Sequence, residues 1–350
     1  MITFFTDPHL GLAARTNTSS KSSPALDFRL NHTASKLAER EGNKVMCGDL
    51  FHRSHNKENI IADGIKIASQ CDVVVGGNHD STNRTDDLSS MDIVAGACDS
   101  VLMSQTGKVT IYPSLNFDSG ETLTVIPHHS SQDLFDKAVD EACKHTGDVV
   151  ALHCNFNNPF VNDIDTALNL TPDQAAKLLK SYSYIVIGHE HIPRKEMDGR
   201  LIALGNTHPT GFSDISNKYV WTFDKESGFS RELIWSKETS YLALDAAEIW
   251  DLPETEFDVD EGAEPPQFVD ISGELDAENM PELAHRISLI WDKWNPYMVR
   301  NQVNAVQAET ESLMEEGYKI EDFSSKIREG LVESPELLAL FEEKLEKVGE

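Results

Sequence analysis

The chain has 350 residues, of which 39% are apolar, enough to build the core of a large ordered domain. No apolar run approaches the roughly 18 residues of a membrane helix, and Met1 leads directly into a strand-like segment, so we expect a soluble cytoplasmic protein with no membrane contact. The five cysteines are scattered without a CxxC pair, which argues against a complete disulfide framework and predicts reduced thiols.

The net charge of −29 is unevenly distributed. Residues 237–350 contain 29 acidic and 9 basic side chains, whereas residues 1–236 contain 30 and 21. An acidic protein repels nucleic acid at long range, so a role on DNA would require bound metal ions or a basic partner subunit. The simpler interpretation of the charge is a solvated acidic surface that keeps the chain soluble.

Short apolar runs alternate with helix-like stretches over the first 236 residues, which predicts a layered α/β domain. Strands are predicted at 2–6, 44–47, 72–75, 123–126, 148–152 and 184–187. Helices are predicted at 25–40 and 58–69. A hairpin is expected between 108–112 and 123–126, and a second sheet layer is expected to contain strands at 201–203, 219–223 and 231–235.

The C-terminal part has a different composition. Residues 251–267 are rich in Pro, Gly and acid and indicate a linker, followed by a strand at 268–272, a helix at 281–294 and a strand at 297–303. Two amphipathic helices end the chain, the second beginning near Ser334. We divide the chain into a main domain at 1–240, an acidic linker at 241–267, a small α/β capping domain at 268–308 and a helical tail at 309–350.

Metal-type ligands follow five of the predicted strands. The segments are Asp7-Pro8-His9, Gly48-Asp49-Leu50-Phe51-His52, Gly77-Asn78-His79-Asp80, His153, and Gly188-His189-Glu190-His191. In open α/β sheets, residues beyond the carboxyl ends of the strands converge on one ligand crevice. Carboxylate, imidazole and amide donors suit manganese, ferrous iron or zinc, and their number exceeds what one ion would take. A pair of ions bridged by Asp49 would suit phosphoester hydrolysis.

The ordered motifs DPHLG, GDLFH, GNHD, a lone strand-end histidine and GHEH resemble the calcineurin-like metallophosphoesterases. Within that superfamily, the LG of the first motif and GDLFH resemble the SbcD-type nucleases of double-strand-break repair, and the module layout is most similar to the recombination nuclease subunit of tailed bacteriophages. The resemblance implies a two-sheet sandwich flanked by helices. It also implies two divalent metal ions, most often manganese, with magnesium, iron or zinc as alternatives.

The resemblance assigns roles to particular residues. It implies one metal held by Asp7, His9, Asp49 and His191, and a second held by Asp49, Asn78, His153 and His189. His79 is then expected to contact the phosphate or protonate the leaving oxygen, with Asp80 orienting its ring. His52 is expected to be a second imidazole that faces the phosphate.

Alternatives remain at several positions. Any one of these histidines alone is better explained as a hydrogen-bonded core or surface side chain, but chance is a poor explanation for the ordered set. Asp is also a common turn residue, so the alternative for Asp80 is a structural role in the turn. His128 and His129 could line a substrate groove or lie in an exposed loop, and His208 is left without a role.

Three functions are compatible with these motifs. The leading hypothesis is a manganese-dependent DNA exonuclease and endonuclease subunit of a repair and recombination complex. The alternatives are a small-molecule phosphodiesterase or protein phosphatase of the same superfamily, and a non-catalytic scaffold. For the leading hypothesis, the resemblance implies an SbcC-type, SMC-like ATPase partner that binds the C-terminal helices. The alternative is that the apolar faces of these helices pack on each other or on the main domain. It also implies a homodimer.

Overall fold

The computed structural model describes residues 1–12, 20–22, 25–82, 87–158, 168–251, 253, 257–259 and 264–306. Its strands are β1 (Ile2–Phe5), β2 (Ser20–Ser22), β3 (Asn43–Met46), β4 (Val73–Val75), β5 (Val101–Leu102), β6 (Tyr112–Asn116), β7 (Thr122–Ile126), β8 (Gly147–His153), β9 (Asn155–Phe156), β10 (Asn169–Leu170), β11 (Tyr182–Gly188), β12 (Arg194–Glu196), β13 (Leu201–Ala203), β14 (Lys218–Asp224), β15 (Gly228–Trp235), β16 (Tyr241–Asp245), β17 (Phe268–Asp276) and β18 (Met298–Val306). Its α-helices are α1 (Ala25–Ala38), α2 (Glu58–Ala68), α3 (Ser90–Ala97), α4 (Gln132–Ala142), α5 (Pro172–Leu178), α6 (Lys237–Ser240), α7 (Ala246–Asp251) and α8 (Met280–Trp294). Among these helices, none has the length and apolar character needed to cross a membrane.

Two six-stranded sheets form the main body. The first has the order β15-β14-β1-β3-β4-β5 and the second the order β12-β13-β11-β8-β7-β6. Strands β1, β3, β4 and β5 run parallel, as do β7, β8, β11 and β13, while β14, β15, β6 and β12 pair antiparallel with their neighbours. Each sheet therefore presents several carboxyl strand ends at one edge.

Three apolar clusters hold these layers together. The inner faces of both sheets share one cluster, in which Phe4 and Val45 of the first sheet are buried with Val149 and Ala151 of the second. The outer face of the first sheet packs on α1, α2 and α3, and the outer face of the second packs on α4 and α5. Because adjacent residues of a strand face opposite sides, both faces of these strands are apolar. The result is the predicted two-sheet sandwich flanked by helices.

Local signals account for several helix starts. Ser89 caps α3 by accepting a hydrogen bond from the Asp92 N–H, and Asp92 accepts one from the Ser89 N–H in return. Thr171 and Gln174 form the same reciprocal pair at α5, with Pro172 at the first helical position. Each pair satisfies two backbone donors that a helix end otherwise leaves unbonded.

The predicted elements are largely confirmed, with two corrections. The strand opposite β7 is β6 at Tyr112–Asn116 rather than 108–112, so the loop that joins the two strands has fewer residues than predicted. Of the three strands expected in a second layer, β13 joins the second sheet, but β14 and β15 extend the first sheet through the antiparallel pairing of β14 with β1. Apolar alternation identifies a strand without naming its partner, which explains the wrong sheet assignment.

The predicted C-terminal strand, helix and strand are confirmed and are observed as β17, α8 and β18. The two strands belong to a four-stranded sheet of order β16-β17-β18-β2. Among the described residues, one compact unit lies within 1–244, 253–271 and 289–302, and a second within 245–251, 272–288 and 303–306. The predicted tail helices lie outside the described residues. The boundaries of the linker, capping domain and tail remain predictions.

Candidate metal centre

The sequence-predicted ligands meet where the two sheets present their carboxyl strand ends. The loop after β1 runs beside the loop after β3, because the Asp7 N–H donates to the Gly48 carbonyl (3.1 Å) and the His9 N–H to the Asp49 carbonyl (3.1 Å). Strands β8 and β11 of the second sheet bring His153 opposite Gly188 in register. The five motifs therefore come from two sheets rather than from one open sheet.

Four of the predicted ligands have left-handed backbone conformations. The φ angles are 53° at Asp7, 48° at His9, 50° at Asp49 and 83° at His189. Such angles cost free energy for residues other than glycine and persist where the surroundings impose them, often at functional sites. The backbone is thus shaped to turn these side chains into the same space.

Two glycines permit the close packing around these ligands. A Cβ at Gly48, where φ is +104°, would clash with the His153 ring, and a Cβ at Gly77 would clash with the Asp49 carboxylate and its backbone nitrogen. Only a residue without a side chain allows these approaches. The glycines of GDLFH and GNHD are therefore required by the geometry of the ligands.

The first set of ligands contains Asp7, His9 and His191, whose ligand atoms all lie within 4.8 Å of one another. The Nε2 atoms of His9 and His191 are 2.9 Å apart. Asp7 Oδ1 is buried and has no hydrogen-bond partner among the described residues, while Oδ2 accepts from Thr6 Oγ1 and from the His189 N–H. The set thus presents one buried carboxylate oxygen and two imidazole nitrogens to the same point.

The second set contains Asp49, His153 and His189, again with ligand atoms within 4.8 Å. Asn78 belongs to it by position, because its Oδ1 lies 3.0 Å from His153 Nε2 and 3.0 Å from His189 Nδ1. The amide oxygen and the two ring nitrogens therefore face one another, as ligands of a shared ion would.

Asp49 lies between the two sets. Its Oδ2 is 3.9 Å from His9 Nε2 of the first set, and its Oδ1 is 3.3 Å from His153 Nε2 of the second. Oδ1 also accepts a hydrogen bond from the His79 N–H at 3.0 Å. Each carboxylate oxygen is directed at a different set, which is the arrangement expected of a bridging ligand.

The ligand histidines are oriented in two ways. The Nδ1–H of His153 donates to the backbone carbonyl of Cys47 at 2.8 Å, which leaves its Nε2 lone pair for a ligand role. His191 Nδ1 instead lies 3.1 Å from the Asp214 carboxylate. A histidine that binds metal usually donates its other N–H to such a carboxylate or carbonyl, which fixes the ring and its tautomer.

Asp214 was missed by sequence reasoning, although it lies in the short helical turn that follows the His208 loop. It is buried, and Oδ2 also accepts from Asn206 Nδ2 at 2.6 Å and from Thr210 Oγ1 at 2.9 Å. The buried ammonium of Lys218 donates to the backbone carbonyls of His191 and Asp214. No metal-ligand spacing in the sequence marks this residue. Its only sequence signal is an acidic side chain next to the Gly/Pro-rich loop that contains His208.

The electrostatics distinguish individual ligands. Burial lowers the pKa of His9 well below its usual value. Burial alone would also lower the pKa of His153, but the adjacent Asp49 carboxylate raises it to about 10. Burial also acts to lower the pKa of His191, but the hydrogen bond to Asp214 and the charges of Asp7 and Asp214 together raise it above its usual value. Burial acts to raise the pKa of Asp49, but the charge and hydrogen bond of His153, together with the charges of His9 and His79, hold it well below the usual range.

These residues fit a pair of divalent cations. A buried carboxylate oxygen without a donor, a carboxylate between two sets, and four imidazoles with converging nitrogens form a nitrogen and oxygen donor set without thiolate. Such donors suit manganese, iron or zinc. Asp7, His9, Asp49 and His191 would hold one ion, and Asp49, Asn78, His153 and His189 the other.

His79 lies at the first set, with its ring centroid 5.1 Å from that of His9. The ring of His52 stacks on it at 5.5 Å with an interplanar angle of 22°. The expectation that Asp80 orients His79 is wrong in this structure. His79 Nδ1 donates to the His52 carbonyl at 2.8 Å, whereas the buried Asp80 carboxylate accepts from the N–H groups of Phe51 and Gly77.

The other three histidines discussed from the sequence, His128, His129 and His208, are buried. His129 accepts from the Thr110 N–H and donates to the Pro127 carbonyl, and His208 packs against the rings of Trp235 and Tyr297, so both contribute to packing. His128 is 8% exposed, which excludes the exposed-loop alternative, and its backbone N–H donates to the Gly76 carbonyl beside the GNHD loop.

Residues 1–193 match the family described as calcineurin-like phosphoesterase. Comparison with curated proteins gives no match. Among solved structures, the chain is similar to one described as a candidate 5'-nucleotidase from Staphylococcus aureus in complex with alpha-ketoglutarate, at 15% identity and a TM-score of 0.39. That alignment covers 66% of this chain and 52% of the other, so the chain spans about half the length of that protein. From the family match over more than half of its length, the chain belongs to the calcineurin-like phosphoesterase family.

Proposed function

We propose that this phosphoesterase is a manganese-dependent DNA nuclease of the SbcD type, acting as exonuclease and endonuclease in double-strand-break repair and recombination, and encoded by a bacteriophage. The observation that carries the proposal is the placement of His79 and His52 beside two adjoining ligand sets that share Asp49. The GDLFH motif, which supplies both Asp49 and His52, is the feature in which the chain resembles those nucleases.

Two bound ions would activate water and offset the charge of the phosphoryl oxygens. The residues around them would then fix the substrate and move protons. His79 donates Nδ1–H to the His52 carbonyl, so its Nε2 is the atom directed away from that anchor. In its protonated form His79 would give a proton from Nε2 to the leaving oxygen, as a general acid.

His52 would complement His79 rather than duplicate it. Its ring stacks on that of His79 and lies 5.5 Å, centroid to centroid, from His9 at an angle of 75°. An imidazole in this place would hydrogen-bond a non-bridging phosphate oxygen and hold the diester against the first ligand set. The backbone carbonyl of the same residue holds His79, so one loop serves both histidines.

The proposal includes partners. A homodimer and an SbcC-type, SMC-like ATPase that binds residues 309–350 both follow from the resemblance, as does a capping role for residues 268–308. This chain has a net charge of −29, and the ATPase would supply a basic surface for binding DNA. Co-purification of the ATPase with the full chain, and its loss on deletion of 309–350, would test the partner.

The nuclease activity is tested by nucleotide release from linear double-stranded DNA in manganese, with and without chelator, and with bis-p-nitrophenyl phosphate in parallel. His79→Ala is expected to lower hydrolysis of DNA by about 100-fold or more, the usual contribution of a general acid, while manganese binding persists. Hydrolysis of bis-p-nitrophenyl phosphate is expected to fall less, because p-nitrophenolate leaves without a proton. His145→Ala is the matched control, because His145 precedes β8 at the opposite edge of the sheet. Cleavage of the small diester with DNA left intact, even with the ATPase present, would make the substrate assignment wrong.

A further inference from the structure

A polar pocket lies beside the candidate metal centre. Its volume is about 420 Å³, and it is lined by Asn155, Asn157 and Asn158 from the segment after β8 and by Glu190, Arg194 and Glu196 around β12. Asn155 is two residues beyond His153, and Glu190 lies between His189 and His191. The walls of the pocket are therefore continuous with both ligand sets.

Its walls are tied together by two ion pairs of Arg194, one with Glu190 and one with Glu196. The guanidinium of Arg194 makes two hydrogen bonds to the Glu190 carboxylate, both at 2.8 Å, and one to Glu196 at 2.7 Å. Glu190 accepts the backbone N–H of Phe156, and Arg194 donates to the Phe156 carbonyl. This network fixes the asparagine segment against the GHEH loop without using the side-chain amide of Asn155.

The charges of the pocket select the kind of ligand. Two carboxylates and one guanidinium line it, and the guanidinium is already bonded to both carboxylates. A phosphate would meet net negative charge there, whereas an uncharged group with both donors and acceptors would meet asparagine amides that offer both. Asn155 is 92% buried, and its Nδ2 has no acceptor among the described residues.

A larger depression of about 700 Å³ is excluded as a competing site for the substrate. It is lined by Lys195, Asp198 and Arg200 among others, at the start of β13. Because β13 runs parallel to β11, its start lies at the edge of the sheet opposite the ligands. Of these two pockets, the smaller one is lined by residues that neighbour the proposed metal ligands in sequence.

We infer that this pocket binds the nucleobase of the nucleotide whose phosphate is held at the metal centre. The inference rests on the proposed hydrolysis of nucleic acid and adds a subsite to it. Asparagine amides pair with the edges of bases through one donor and one acceptor, and a cavity of this volume accommodates a nucleoside. Arg194 covers the face of the Phe156 ring at 5.7 Å, so hydrogen bonding rather than stacking holds the base.

Two variants test the pocket. Asn155→Ala removes the buried amide, and Asn157→Gly removes an exposed amide while keeping the left-handed backbone, since φ is 52° at this residue. Asn116→Ala is the matched control, because Asn116 pairs with Thr122 at the start of β7, away from the ligand edge. The substrates are the p-nitrophenyl ester of thymidine 5'-monophosphate and bis-p-nitrophenyl phosphate, which share a leaving group and differ in the nucleoside.

The expected result is a fall of about 3- to 10-fold in the ratio of kcat/KM for the thymidine ester to that for the bis ester in each variant, as for one lost hydrogen bond. The control keeps the wild-type ratio. Binding of thymidine alone, measured by saturation-transfer NMR, is expected to weaken in both variants. An unchanged ratio with unchanged thymidine binding would overturn the inference.

The same experiments separate the subsite from the nuclease proposal. A wild-type protein that hydrolyses neither ester in manganese would contradict the proposed function. Thymidine binding that depends on Asn155 and Asn157 would then still support a nucleoside pocket, and thymidine binding that does not depend on them would overturn it.

Discussion

The two halves of the metal centre are oriented by different kinds of partner, although each contains a histidine supplied by the second sheet or the loop after it. His153 of the second set is held by a backbone carbonyl, that of Cys47, on the neighbouring sheet. His191 of the first set is held by the side chain of Asp214, which other side chains and amides hold in turn. A backbone partner is independent of residue type, whereas a side-chain partner is lost by a single substitution. The two halves should therefore respond differently to mutation.

The largest effect is expected where the halves meet. Asp49→Asn keeps the shape of the bridging residue but removes the charge that faces both sets. We expect loss of at least one metal ion per chain and a decrease in kcat of about 1,000-fold or more, since the charge of two-metal sites depends on the bridging carboxylate. Metal content after gel filtration and hydrolysis of bis-p-nitrophenyl phosphate measure this. Retention of both ions with near-normal kcat would show that Asp49 does not bridge.

A smaller effect, confined to the first half, is expected from Asp214→Asn. The amide cannot stabilise the His191 ring as a carboxylate does, and substitution of such orienting partners typically costs about 10- to 100-fold in metal affinity or activity. Excess manganese should restore much of the activity, which a general loss of folding would not allow. Equal weakening of both metal-binding steps would contradict a role limited to His191.

The pH dependence sharpens the contrast further. The pKa of His153 is raised to about 10 without metal, so below that pH its ring holds a proton that an incoming ion must displace. Affinity of the second set should therefore rise with pH, by up to about tenfold per pH unit between pH 6 and 8, with release of about one proton. Calorimetry in buffers of different ionisation enthalpy measures that release. Affinity independent of pH would contradict the raised pKa.

The smallest effect is expected from Cys47→Ala. The carbonyl that holds His153 remains, so kcat and metal stoichiometry should change less than about threefold, with a loss of roughly 1 kcal/mol in unfolding free energy from the small core truncation. Chemical denaturation and the same hydrolysis assay measure both. A loss of metal as large as that in Asp214→Asn would remove the distinction between backbone and side-chain support.

The comparison also shows what the sequence can predict. The apolar strands and the polar residues that follow them predicted which residues converge, because parallel strands place their carboxyl ends at one edge. The division of those strands between two sheets was not predictable from periodicity alone. Support from the carbonyls of Cys47 and His52 leaves no trace in side-chain identity, and Asp214 reaches His191 through a loop whose path only the tertiary structure fixes.

The most direct test of the central claim is a manganese titration of chelator-treated protein followed by electron paramagnetic resonance. Two adjoining ligand sets that share Asp49 predict two ions per chain and the exchange-coupled spectrum of a closely spaced pair. A stoichiometry of one, or two ions with the spectra of isolated manganese, would contradict a centre built from two halves around a bridging carboxylate.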